Sequence, residues 1–133
     1  MRTEQLILEN LIFSDEYASL IGVFLKPEYF KAYPEKIIFS EIQNHIQEYN
    51  KPPTLPALEN MITSRDDLNE ATFKNCMEVL TTYKTKTDDH EWLVNETEKW
   101  AKDQAVYNGI VDSIAILEGK DTKKPKDAIP DIL

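Results

Sequence analysis

The sequence predicts an all-α protein, a compact bundle of about five short helices followed by one long protruding helix. Three observations carry this. Apolar residues recur at three- and four-residue intervals through most of the chain, and no alternating strand pattern of useful length occurs. Only 3 glycines are present among 133 residues, too few for a turn-rich β protein. From Asp88 to Glu118 the chain carries no proline and a single internal glycine, Gly109. The expected layout is a helical bundle over residues 1–87, a long helix over 88–118, a charged linker over 119–127, and the start of a further helix over 128–133.

The first helix is expected from Thr3 to Phe13, with Leu6, Ile7, Leu8, Leu11 and Ile12 apolar and Thr3 able to cap. Ser14 then caps a second helix, with Asp15 and Glu16 in its first turn, reaching to about Leu25. Lys26-Pro27 breaks it and leaves Tyr29 and Phe30 in a turn that inserts both aromatics into the core. Pro34 sits in the first turn of the next helix, where its missing amide costs nothing, and Ile38, Ile42, His45, Ile46 and Tyr49 follow on one face. Lys51-Pro52-Pro53 ends that helix, and Thr54 caps a short one carrying Leu55, Leu58, Met61 and Ile62. Ser64 to Asp67 reads as polar loop, and Phe73, Cys76, Met77, Leu80 and Tyr83 form an amphipathic stripe from Glu70 to Lys84.

The long helix is well signalled at both ends. Asp88 with Glu91 three residues on suits a capping box, and Gly119 followed by Lys120 suits a stop. At 1.5 Å per residue it spans roughly 45 Å, longer than a domain of this size is wide. Leu93, Trp100, Tyr107 and Ile114 recur every seven residues, and Ile110, Val111 and Leu117 fill the later turns. A stripe of that kind is covered by another helix, so these seven residues form the candidate interface.

Charge and composition exclude several functions. With 24 acidic against 15 basic residues the net charge is −9, which repels a phosphate backbone and predicts weak or no direct DNA binding. One cysteine, Cys76, allows no internal disulfide and suits a reducing cytoplasm. Apolar runs such as Leu20 to Leu25 are too short to cross a bilayer, so no membrane partner is expected. Three glycines, Gly22, Gly109 and Gly119, cannot build a phosphate loop, so no nucleotide site is expected here. Glu41 and His45 share a helix face without a second ligand pair, and His90-Glu91 lacks a second histidine four residues on, so no metal site is expected. Cys76 lies among Phe73, Met77 and Leu80 with no neighbouring base, so no catalytic residue is expected either. Trp92, Trp100 and Tyr107 lack the positive groove that base-stacking platforms use.

Several segments together resemble a family. Phe24-Leu25-Lys26-Pro27-Glu28-Tyr29-Phe30, Ile37 to Ile42, and Pro52 to Leu58 resemble the N-terminal domain of DnaB-type replicative helicases. Glu4, Ile7, Leu8, Leu11 and Ile12 fit its first helix. Asp89 to Val94, Glu96 to Lys99 and Ala128 to Ile132 look most like the branch found in T-even-type bacteriophages. The resemblance implies a non-catalytic collar: a helical bundle and a long helical hairpin whose arms pair subunits, giving a trimer of dimers in a hexameric ring. It implies that Asp88 to Glu118 is the first hairpin arm and Ala128 to Leu133 the start of the second. It also implies primase as a partner, a helicase loader as a further one, and a host-cell cytoplasmic location. ATP or GTP with Mg²⁺ would belong to a motor domain outside these residues, and no cofactor to this segment. The abrupt apolar turn at the end predicts that the 133 residues are part of a longer protein.

Two other readings compete. The charge of −9 also fits a free-standing acidic phage protein that blocks a basic host nucleic-acid binder, with affinity falling steeply in salt. An enzyme built on Glu41, His45 and the acidic cap at Asp88 would need a catalytic constellation that the sequence does not complete.

Overall fold

The computed structural model describes residues 2–84 and 89–119. Its elements are α1 (Thr3–Phe13), α2 (Asp15–Ile21), a 3₁₀ turn (Pro27–Tyr29), α3 (Tyr33–Tyr49), α4 (Leu55–Thr63), α5 (Glu70–Thr81) and α6 (His90–Leu117). No strand occurs among the described residues. The fold is therefore all-helical, a bundle plus one long C-terminal helix, as its periodicity predicts.

Helix α1 packs against α2, α3 and α6. Ile7 to Ile12 are buried without a break, including Glu9 and Asn10. The polar pair is tolerated because it is bonded locally: Asn10 Nδ2 donates to the Leu6 carbonyl at 2.8 Å and Glu9 accepts from Gln5 at 3.3 Å. On its far side α3 packs on α4 and α5. Ile37, Ile38, Phe39 and Ile42 of α3 are buried, whereas Tyr49 at its C-terminal end is exposed because the bundle ends before it. The 3₁₀ turn delivers Phe30 to full burial, stacked on Phe39 with ring centroids 5.0 Å apart, and leaves Tyr29 half-buried.

Caps fix the element boundaries. Ser14 Oγ accepts from the Tyr17 amide at 3.2 Å and Thr54 Oγ1 from the Ala57 amide at 3.2 Å, both as the sequence predicts. Asn69 does the same for α5, with Oδ1 accepting from the Thr72 amide at 2.7 Å. Asn50 ends α3 in the left-handed region at φ 59°, just ahead of Lys51-Pro52-Pro53. Gly119, at φ 73°, closes α6 and donates its amide to the Ile116 carbonyl at 3.0 Å.

Four boundaries differ from the sequence reading. Arg2, not Thr3, is the N-cap of α1, without a side-chain cap bond. Helix α2 stops at Ile21 rather than near Leu25, because Lys26 must be extended ahead of Pro27 and the chain turns early to allow it. Helix α5 ends at Thr81, short of Lys84. The cap of α6 is Asp89, whose Oδ1 accepts from the Trp92 amide at 3.2 Å; Asp88, the expected cap, lies outside the described residues. So do residues 120–127 of the expected linker and the expected helix start at 128–133.

The N-terminal half of α6 is held by the bundle. Leu93 is 0 % exposed. Thr97 Oγ1 donates to the Leu93 carbonyl at 2.7 Å and lies 2.6 Å from the Tyr17 hydroxyl. With its one proton committed to Leu93, Thr97 must accept from Tyr17. Burial pushes the Tyr17 phenol well above its ordinary pKa, so it stays a donor.

Candidate functional site

Catalytic groups do not converge among the described residues. Glu41 accepts from Arg65 Nη1 at 3.1 Å, and His45 Nδ1 lies 2.8 Å from the Lys51 carbonyl with its ring against Tyr49, so the two are spent on separate structural contacts. Cys76 is fully buried, and burial pushes its thiol above the usual range, away from the reactive thiolate. No group of three His, Cys, Asp or Glu side chains is placed to hold a metal ion among the described residues.

Among the described residues, the buried carboxylate whose pKa is displaced is Glu35, near the start of α3. It is almost fully buried and accepts from Arg2, whose own side chain is largely exposed. Burial raises the Glu35 pKa, Arg2 opposes that shift, and Glu4 adds to it. The buried Tyr83 hydroxyl has no hydrogen-bond partner among the described residues, and burial with the field of Glu35 and Glu9 pushes its pKa up as well. A carboxyl whose pKa is higher folded than unfolded stabilises the fold below the unfolded value, and that contribution is lost as pH rises through the folded value. The difference in stability between the natural chain and Glu35→Gln is therefore expected to move against the natural chain as pH rises from about 4 to about 7. Urea midpoints across that range measure it, and a difference independent of pH would refute the shift.

The distinctive surface is the C-terminal half of α6. Val106, Tyr107, Ile110, Val111, Ile114 and Leu117 are between 43 % and 63 % exposed. At about 100° per residue they cover an arc of about 140° on one side of the helix. Ser113 and Ile116, which are buried, lie outside that arc. Of the seven residues that the heptad spacing singles out, the structure gathers five, Tyr107, Ile110, Val111, Ile114 and Leu117, on the open face. It places the other two elsewhere. Leu93 is inside the chain's own core, and Trp100 packs at 5.0 Å from Phe30 and 6.3 Å from Tyr29. The reason is where the bundle ends: by the same count Leu93 and Trp100 face the same side of the helix as the open arc, but they have the bundle opposite them. Val106 belongs to the open face although it falls outside the heptad positions.

Midway along its length α6 is pinned to the bundle. Asn108 Nδ2 donates to the Glu28 carbonyl at 3.1 Å, and Lys31 donates its ammonium to Asn108 Oδ1. The same ammonium lies 4.9 Å from the Tyr107 ring centroid. Sequence reasoning missed this clamp, because Asn108 is 77 residues from Lys31 and nothing local marks the pairing. A second apolar patch, also unforeseen, is formed by Val23 and Phe24, exposed by the early end of α2. Phe24, Tyr29, Ala101 and Ala105 line a hollow of about 280 Å³ beside it.

No helix among the described residues is long and apolar enough to cross a membrane. No protein-family model matches the chain. It is 32 % identical over 137 aligned residues to a DnaB-like replicative helicase of Enterobacteria phage T4. The alignment takes in 97 % of this chain and 29 % of that relative, so the chain spans under a third of the relative's length. Over nearly its whole length the chain is thus similar to the N-terminal part of a DnaB-like replicative helicase of a phage.

Proposed function

We propose that this chain is the non-catalytic collar of a hexameric phage replicative helicase, and that the open face of α6 pairs it with a neighbouring subunit. The observation that carries the reading is the run of half-exposed aliphatic side chains beyond Asn108, on a helix already anchored at its other end. Such a face on a helix calls for another helix to cover it. Nucleotide hydrolysis, with ATP or GTP and Mg²⁺, is assigned to a motor domain outside this segment, in keeping with the absence of a phosphate-loop motif from its sequence. Primase and a loader are the expected further partners, and the net charge of −9 argues for little direct contact with DNA.

Single cysteines at Val106, Ile110, Ile114 and Leu117, with the buried Cys76 left in place, test the pairing. At least one is expected to give a disulfide-linked dimer under mild oxidation, while a cysteine at Glu48, on exposed α3 surface, is not. Equal cross-linking at Glu48 and at α6 would mean random collision and would remove the assignment.

A further inference from the structure

We infer that the open face of α6 takes the same helix of a second copy running antiparallel, about a two-fold axis level with Asp112. In that register Ile110 packs on Ile114 of the second copy, and Tyr107 on its Leu117. The inference rests on the pairing reading above and adds its direction and register. Its first support is spacing. Tyr107, Ile110, Ile114 and Leu117 are each about half exposed and stand three, four and three residues apart. That series reads the same from either end. A helix turned end over end therefore presents the same four side chains in the same places. This is the condition for a two-fold interface, in which residue i meets j and j meets i. Residues 107 and 117 share a midpoint with 110 and 114, so one axis serves both pairs. Val106 and Val111, one on either side of the four, widen the contact.

The direction follows from what the same seam carries nearer the bundle. Seven and fourteen residues before Ile110 stand Asp103, which is exposed, and Glu96, which is half-buried. A parallel pair in register would set each of these acids against its own image, and like charges so opposed are unfavourable. The other two positions of the repeat, seven and fourteen residues before Tyr107, are Trp100 and Leu93. Both are already taken, Leu93 by the core and Trp100 by Phe30 and Tyr29. The bundle thus occupies one flank of the seam along the near half of α6, where a parallel second helix would have to lie. Run antiparallel, the second helix meets only the far half, and its own acidic half continues past the tip.

The test mixes two populations of the full chain that differ in mass, one with Tyr107→Cys and one with Leu117→Cys, under mild oxidation. The buried Cys76 is left in place. The mixed disulfide is expected to form at least about tenfold faster than either homodimeric one. In the antiparallel register each cysteine lies about 15 Å along the axis from its own image, whereas a disulfide spans Cα separations of about 4–7 Å. Ile110→Cys mixed with Ile114→Cys is expected to give a mixed disulfide as well. These two, about 6 Å along the axis from their own images, are also where a single cysteine comes nearest to its own copy. Homodimeric disulfides at Tyr107 and Leu117 in place of the mixed one would mean a parallel pair and would overturn the inference. Equal yields of all three would mean collision without register, and would overturn it too. Silence in both mixtures, with single cysteines on α6 still cross-linking, removes the register and leaves the pairing reading standing. Silence at every α6 position removes both.

Discussion

Replacing Ile110 and Ile114 together by aspartate is expected to raise the dissociation constant for self-association of the full-length protein by at least about a hundredfold. Both side chains are about half exposed, Ile110 at 55 % and Ile114 at 49 %, so under the proposed pairing a neighbouring subunit would bury the remainder. Completing that burial contributes about 2 kcal/mol for the pair, and two carboxylates in the same place must be desolvated at further cost. Sedimentation velocity over a concentration series measures the change. The folded monomer should be unaffected, because neither residue belongs to the core of the bundle. An unaltered sedimentation profile would remove the open face of α6 from the assembly. A fall in monomer stability would show that these side chains serve the fold after all.

Phe30→Ala is expected to cost about 3–5 kcal/mol, a large share of the roughly 5–15 kcal/mol that holds a domain of this kind together. Phe30 is fully buried and bridges two parts of the molecule, stacked on Phe39 of α3 and tilted against Trp100 of α6. Truncation opens a cavity at the seat of the long helix, so α6 should loosen together with the bundle. The expected readouts are a melting temperature lower by at least about 10 °C and a red shift of Trp100 fluorescence as that ring gains water. Trp92 is already 46 % exposed and contributes a near-constant background. A melting temperature within about 3 °C of the natural protein, with unshifted emission, would mean that Trp100 is anchored by something other than this aromatic contact.

These two substitutions bracket one helix that has two kinds of surface. The near half of α6 is bound by Leu93, Thr97 and Trp100 to its own bundle. Beyond Asn108 the open side of the far half carries side chains of the same chemical type with no bundle beneath them. What separates them is where the globule ends. The −9 charge makes the body acidic, and the apolar face stands out against it.

What the sequence by itself determined is the all-helical class, the order of the helices and some of their caps, because periodicity and cap chemistry are local. Ser14, Thr54 and Gly119 stand where their side chains or lack of one require. The likeness to a phage helicase was legible too, since it rests on ordered short patterns that need no coordinates. Tertiary structure alone decided which members of one seven-residue repeat are spent at home and which remain available. Leu93 and Ile114 are chemically interchangeable in the pattern, yet one is sealed in the core and the other half open. It also decided that Glu9 and Asn10 lie inside, that Asp89 caps α6, and that Lys31 meets Asn108 across the fold. Burial depends on what lies opposite a residue in space, and one chain's local pattern carries no record of its distant neighbours.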